Sequence, residues 1–176
     1  ERGFSYREDA PLDMRMSKEG ETAAELLARS SESEIARILW EYGEERYSRQ
    51  IARKIVEKRE KEPVLTTFQL ADLIKSAMPA AARREKNPCK RSFQALRIAV
   101  NSELDALSNG IDAAFDCLSE GGRLCIITFH SLEDRMVKQK FLDLARGCVC
   151  PPEFPVCVCG RTPAAKVITR KPVLPS

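Results

Sequence analysis

GGRLCIITFHSLEDR, residues 121–135, reads as a glycine turn, a short apolar strand and the polar start of a helix, with the chain's single histidine, His130, where strand passes into helix. In open α/β sheets that edge is where ligands sit. Whether the stretch belongs to such a sheet depends on finding its neighbours.

Toward the N-terminus, FQALRIAVNSELDALSNGIDAAFDCL, residues 93–118, predicts one long helix with Leu96, Val100, Leu104 and Leu107 on its buried stripe and a break near Asn109 and Gly110. A basic loop, 79–92, precedes it, and before that loop three amphipathic helices stand in a row. Ser31 and Glu34 have the Ser-x-x-Glu spacing of a capping box ahead of Ile35, Ile38, Leu39 and Tyr42, a run that Gly43 breaks. Residues 44–61 carry Tyr47, Ile51, Ile55 and Val56 on one face and stop before Pro63, and Thr66 and Gln69 repeat the capping spacing ahead of 68–78, which Pro79 ends. The opening loop RGFSYREDAPLDMRM has no period, and the short TAAELLA after it is helix-prone. Toward the C-terminus, Ser131 to Asp134 can cap a helix over 132–145, a Cys-rich segment fills 147–160, and AKVITR, 165–170, is a weaker strand candidate.

One strong strand and one weaker one do not make a doubly wound domain. Either the protein is mostly helical or strands lie before Glu1, and the featureless opening ERGFSYRED favours the second. No G-x-G-x-x-G loop occurs, so a cofactor site of that kind is expected upstream of Glu1.

Composition excludes some classes. The 176 residues are 43% hydrophobic and 31% charged, as in a globular domain, and the longest apolar stretch, 124–129, is far too short to span a bilayer. The N-terminal residues lack the apolar core of a secretion signal, which makes a cytoplasmic location the default. A net charge of +3 does not by itself identify a polyanion partner, and the basic runs at 49–61, 82–91 and 134–140 read equally as solvated helix faces. Seven cysteines without an export signal argue for reduced thiols or metal rather than a disulfide framework.

Four constellations can carry chemistry. Asp13 and Arg15, in a loop stiffened by Pro11, can present a carboxylate and a guanidinium to one ligand, or pair on the surface. His130 can act as base, donor or stacking surface, or it and Ser131 can simply cap the following helix. Cys148, Cys150, Cys157 and Cys159 form two Cys-x-Cys pairs around a Pro-rich turn and can give a tetrahedral structural zinc site, although the spacing is tighter than the usual Cys-x2-Cys, and free thiols or a redox pair remain open. Cys89, Cys117 and Cys125 are isolated, the last two on apolar faces as small core residues. Arg97 and Asn101, four apart, share a helix face and can enter a site or bond locally.

RGFSYREDAPLDMRM, EYGEERYSRQIARKIVE, RSFQALRIAVNSEL, GGRLCIITFHSLEDRMVK and ITRKPVLPS resemble, in this order, successive signature blocks of the RsmH (MraW) family, and the resemblance covers nearly the whole chain. It implies an S-adenosylmethionine-dependent methyltransferase acting on N4 of a cytidine in small-subunit ribosomal RNA. The implied fold class is α/β, part of a Rossmann-like methyltransferase domain with an inserted helical subdomain, mostly helical over these residues. Residues 1–19 would form a loop near the active site, 20–90 the insertion, and 91–176 the returning core with its Cys-rich segment 147–160. The chain looks truncated at both ends, with the cofactor contacts upstream of Glu1. The resemblance places Asp13 first as acceptor for the cytosine amine, with Arg15, Arg97, Asn101, His130, Ser131, Glu133 and Arg135 around the base and the methyl-transfer site. The implied partner is ribosomal RNA or the ribosomal subunit, with no membrane and with a homodimer allowed. The rival reading is a non-enzymatic RNA- or ribosome-binding module with a zinc-stabilised Cys knuckle.

Overall fold

The computed structural model describes residues 2–84, 87–151, 153–169 and 171–174. Its helices are α1 Ala23–Arg29, α2 Glu32–Gly43, α3 Ser48–Arg59, α4 Thr67–Ala77, α5 Ala80–Arg83, α6 Lys90–Asn101, α7 Glu103–Asp116 and α8 Ser131–Ala145. Local chemistry starts several of them. The Ser31 hydroxyl accepts from the Glu34 N–H, and at Thr66 the full reciprocal box with Gln69 is present, as the spacing predicts. A third box, Thr22 with Glu25, opens α1.

The chain divides into two compact units, Glu1–Glu103 and Leu104–Ser176. In the first, α2 packs against α3 and α6, α3 against α4, and α1 against α6. Their apolar stripes meet in one core that includes Leu27, Ile35, Leu39, Ile51, Ile55, Leu70, Ile74 and Leu96, all fully buried. Each such side chain contributes about 1.5–3 kcal/mol on burial. Arg59 ties α3 to the end of α1, donating to the carbonyls of Leu27 and Ser30.

Gly43 does more than end α2. The left-handed cap is Glu44, at φ 50°, while a Cβ on Gly43 would stand 2.5 Å from the Arg91 carbonyl oxygen. The glycine is what lets α2 approach the start of α6 so closely.

The aperiodic opening loop is sewn into this unit by its backbone. Leu12 N–H donates to Leu65 O at 2.8 Å, Thr67 N–H to Ala10 O at 3.0 Å, and Ala24 N–H to Leu12 O at 2.9 Å. The Thr67 hydroxyl donates to Glu8 O at 2.6 Å and accepts from Ala10 N–H at 3.1 Å. Leu12 and Met14 point into the core and are fully buried.

The second unit contains α7 from Leu104 onward and α8, with Lys140 Nζ bonded to both carboxylate oxygens of Asp112 at 2.6 and 2.9 Å. Ile111 and Val137 are its buried apolar side chains among the described residues.

Several sequence expectations need correction here. Residues 93–118 are not one helix broken near Asn109 and Gly110. The break falls at Ser102, in the left-handed conformation at φ 48°, and Leu104 and Leu107 are only half-buried. Residues 123–129 are not a strand, and Ile127 and Phe129 stand 80% and 90% exposed. A strand exists only when its N–H and C=O groups find neighbours, and the β pairing found among the described residues is a single bridge between Pro11 and Thr66. Residues 165–169 likewise form no strand; Arg170 lies outside the described residues. Cys117 and Cys125, expected in a core, are exposed, and the buried cysteine is Cys89. Burial pushes the Cys89 thiol up to about 11. The helical character of these residues stands, and no described helix is long and apolar enough to cross a membrane.

Candidate functional site

The loop 13–16 is shaped by one residue, Met14, whose φ of 61° turns the chain so that its neighbours face each other. The Arg15 guanidinium grips the Asp13 carboxylate with both prongs, Nε to Oδ1 at 2.6 Å and Nη2 to Oδ2 at 2.9 Å, and the Arg15 N–H adds a third bond to Oδ1 at 3.1 Å. Such fork-to-carboxylate pairs are the strong kind. Hydrogen bonding from Arg15 holds the Asp13 carboxyl below the usual carboxylate range, outweighing its partial desolvation. The remaining Arg15 nitrogen, Nη1, donates to the carbonyls of Lys18 and Gly20.

Helix α6 reaches this loop through Asn101. Its amide oxygen accepts from Met16 N–H at 2.7 Å, and its Nδ2 donates to Met14 O and to Arg97 O, each at 2.8 Å. Arg97 itself makes a two-pronged pair with Glu103 at 2.8 and 3.0 Å. The structure thus brings Asp13, Arg15 and Asn101 together, and engages both guanidinium groups with carboxylates of the chain. Arg2 belongs to the same construction, its Nη1 donating to the carbonyls of Arg15 and Met16 at 3.1 and 2.8 Å.

Neither Arg2 nor Glu103 is visible to sequence reasoning. Arg2 acts across thirteen residues of aperiodic loop, and Glu103 lies six residues from Arg97, a spacing that meets only because Ser102 breaks the helix between them. The left-handed Met14 also carries no sequence signal.

In the second unit, His130 is the N-cap of α8, and its Nδ1 accepts from Glu133 N–H at 3.4 Å. The other ring nitrogen, Nε2, is buried without a hydrogen-bond partner among the described residues and stands 3.4 Å from Glu133 Oε1. Glu133 Oε2 accepts from Phe129 N–H at 2.7 Å. Histidine thus takes the place of serine or threonine as the cap acceptor, while the Glu133 carboxylate holds the N–H of the residue before the cap. Ser131, expected to share the capping, is instead the first helical residue, and Arg135 follows on the second turn. The side chain of His130 is only 11% exposed.

The cysteines of 147–160 converge: the sulfurs of Cys148, Cys150, Cys157 and Cys159 lie within 4.8 Å of one another. Backbone N–H donors from Val149 and Arg161 lower the Cys159 thiol to about 6. At Cys148 the N–H of Cys150 also lowers, but hydrogen bonding from the other three thiols prevails and raises it to about 12.

Part of the basic run 49–61 is paired with carboxylates. Lys54 pairs with Glu57, Lys58 with Glu62, and Arg53 approaches Glu32.

The family model described as the MraW methylase family matches residues 1–176. The chain belongs to the MraW methylase family. Proteins named ribosomal RNA small subunit methyltransferase H are its relatives: the one from Brevibacillus brevis is 55% identical over 178 residues, covering 100% of this chain and 57% of the relative. Those from Heliobacterium modesticaldum and Symbiobacterium thermophilum are each 57% identical, over 100% and 98% of this chain and 57% and 55% of their own lengths. This MraW-family chain therefore spans little more than half the length of the relatives it matches. Within that span lie the Asp13–Arg15 loop, the Asn101 contact and the His130 cap.

Proposed function

We propose that the protein, at the relatives' full length, transfers a methyl group from S-adenosylmethionine to N4 of a cytidine in small-subunit ribosomal RNA. The observation that carries this reading is identity of 55–57% to small-subunit ribosomal RNA methyltransferases along essentially the whole chain. The same reading makes 20–90 a helical insertion and 91–176 part of a Rossmann-like domain, with the enzyme working beside the ribosome in the cytoplasm.

The described residues fit the base side of such a site and not the cofactor side. No G-x-G-x-x-G turn occurs in the sequence, and the open pocket among Ala24, Leu27, Ile55, Arg59 and Val64 contains none of the residues assigned to chemistry. The described residues thus offer S-adenosylmethionine no turn of that kind.

The role of Asp13 follows from its bonds. A carboxylate has about four lone-pair sites, and three donors from Arg15 occupy two on Oδ1 and one on Oδ2. The remaining site on Oδ2 suits an N–H of the cytosine exocyclic amine. Arg15 keeps the carboxyl ionised, so Asp13 serves as a fixed acceptor that orients the amine rather than as a base that takes up its proton. Arg15 and Asn101 are positioning residues, the first through Asp13 and the second through the carbonyl of Met14. The target cytidine would be splayed from its stack to reach such a pocket.

The test is transfer of labelled methyl from S-adenosylmethionine to small-subunit ribosomal RNA by the full-length protein. Asp13→Asn is expected to lower kcat by about 10²–10³ with KM little changed. No transfer by the wild type overturns the reading and favours the binding module; an unchanged rate in Asp13→Asn overturns the role of Asp13 alone.

A further inference from the structure

GCVCPPEFPVCVCG, residues 147–160, plays no part in the reading above. The segment has no helix or strand among its described residues, and Val149, Phe154, Val156 and Val158 are exposed, so it has no core of its own. Short segments of this kind need a staple to hold one conformation. The described geometry holds its base closed: Ala164 and Ala165 N–H groups both donate to Leu144 O, at 2.9 and 3.2 Å, and Arg161 reaches Asp143 O at 2.5 Å. From that base the two Cys-x-Cys pairs converge.

The sulfur positions match one kind of staple. Cys157 and Cys159 lie 3.5 Å apart and Cys159 and Cys148 3.8 Å apart, with all four sulfurs within 4.8 Å. A tetrahedral ion with Zn–S bonds of about 2.3 Å has sulfur-to-sulfur edges of about 3.8 Å, whereas a disulfide requires about 2.05 Å. Backbone donors already face the sulfurs, Cys150 N–H toward Cys148 Sγ and Val158 N–H toward Cys150 Sγ, each at 3.4 Å. Such outer donors orient thiolate ligands, and four thiolates with no open position select zinc among the common divalent ions.

We propose that Cys148, Cys150, Cys157 and Cys159 bind one zinc ion in a closed tetrathiolate site that pins the knuckle 147–160 to the end of α8. Binding forms four Zn–S bonds, and each thiol that is protonated beforehand releases its proton to solvent. The site is structural and stands independently of methyl transfer.

The experiment uses the full chain purified under reductant. Elemental analysis is expected to give one zinc per chain that survives dialysis, and cobalt(II) in its place should show the visible and thiolate charge-transfer bands of a tetrahedral site. Cys157→Ser with Cys159→Ser should abolish both signals while amide protection in α2 and α6 shows that the variant is folded; Cys117→Ser with Cys125→Ser should change neither. Protease cleavage within 147–160 should slow about a hundredfold when free zinc is about 100 times its dissociation constant. Substoichiometric zinc, zinc retained by the Cys157→Ser/Cys159→Ser variant, or an intact mass showing a disulfide among these four thiols in the reduced preparation overturns the proposal.

Discussion

Asp13 is ionised because Arg15 donates to it three times, and that dependence fixes its pH behaviour. A carboxyl whose folded value is depressed contributes stability above its unfolded value of about 3.9 and loses it as pH falls through the lower folded value. Titration of the Asp13 carboxyl carbon should therefore give a midpoint below about 3.9, and Arg15→Gln should move it upward; equal midpoints in the two proteins would break the link. Asn101 makes a separate prediction. Its side chain satisfies Met16 N–H and Met14 O, so Asn101→Ala should cost about 1–3 kcal/mol and speed exchange of the Met16 amide. Denaturant unfolding together with residue-resolved exchange reads both. Asp13 and Arg15 were legible as a pair from two residues' separation and complementary charge. Their link to Asn101 was not, because it crosses 85 residues of chain.

Helix starts show how far local chemistry reaches. The hydroxyls of Ser31 and Thr66 bond N–H groups three residues on, a distance within which the sequence contains all partners, and both starts were readable. His130 was readable as a cap for the same reason. His130→Ala should destabilise the second unit by about 0.5–2 kcal/mol while His130→Asn recovers most of the loss, since asparagine is a good N-cap; exchange at Glu133 N–H localises the effect. Gly43 belongs to the other class. Its pattern-breaking position was plain, but the reason, the Arg91 carbonyl 2.5 Å from where a Cβ would stand, is a contact between α2 and α6. Gly43→Ala should cost about 1–3 kcal/mol in unfolding free energy, and a neutral result would remove the close-approach explanation.

Over the whole molecule, apolar burial is unevenly distributed. The first unit holds the core around Ile35, Leu39, Ile51 and Leu96, and the second buries Ile111 and Val137 among its described residues. Amide exchange of this chain should accordingly show slow α2, α3, α4 and α6 and fast residues 123–128. At the relatives' full length, a Rossmann-like sheet would supply neighbours on both sides of 123–128 and slow those amides by orders of magnitude; unchanged fast exchange there would remove that fold from the proposal. By itself the sequence determined the helix starts, the apolar stripes of the first unit and the spacing of the four knuckle cysteines, since each is set by groups a few residues apart. Tertiary structure alone decided the course of the opening loop, the break at Ser102, the pairing of Arg97 with Glu103 and the lack of β pairing at 123–129 among the described residues. The loop's partners are distant in the chain, and Arg97 meets Glu103, six residues on, only because the helix breaks between them; a hydrogen-bonding group takes its conformation from the partner it finds.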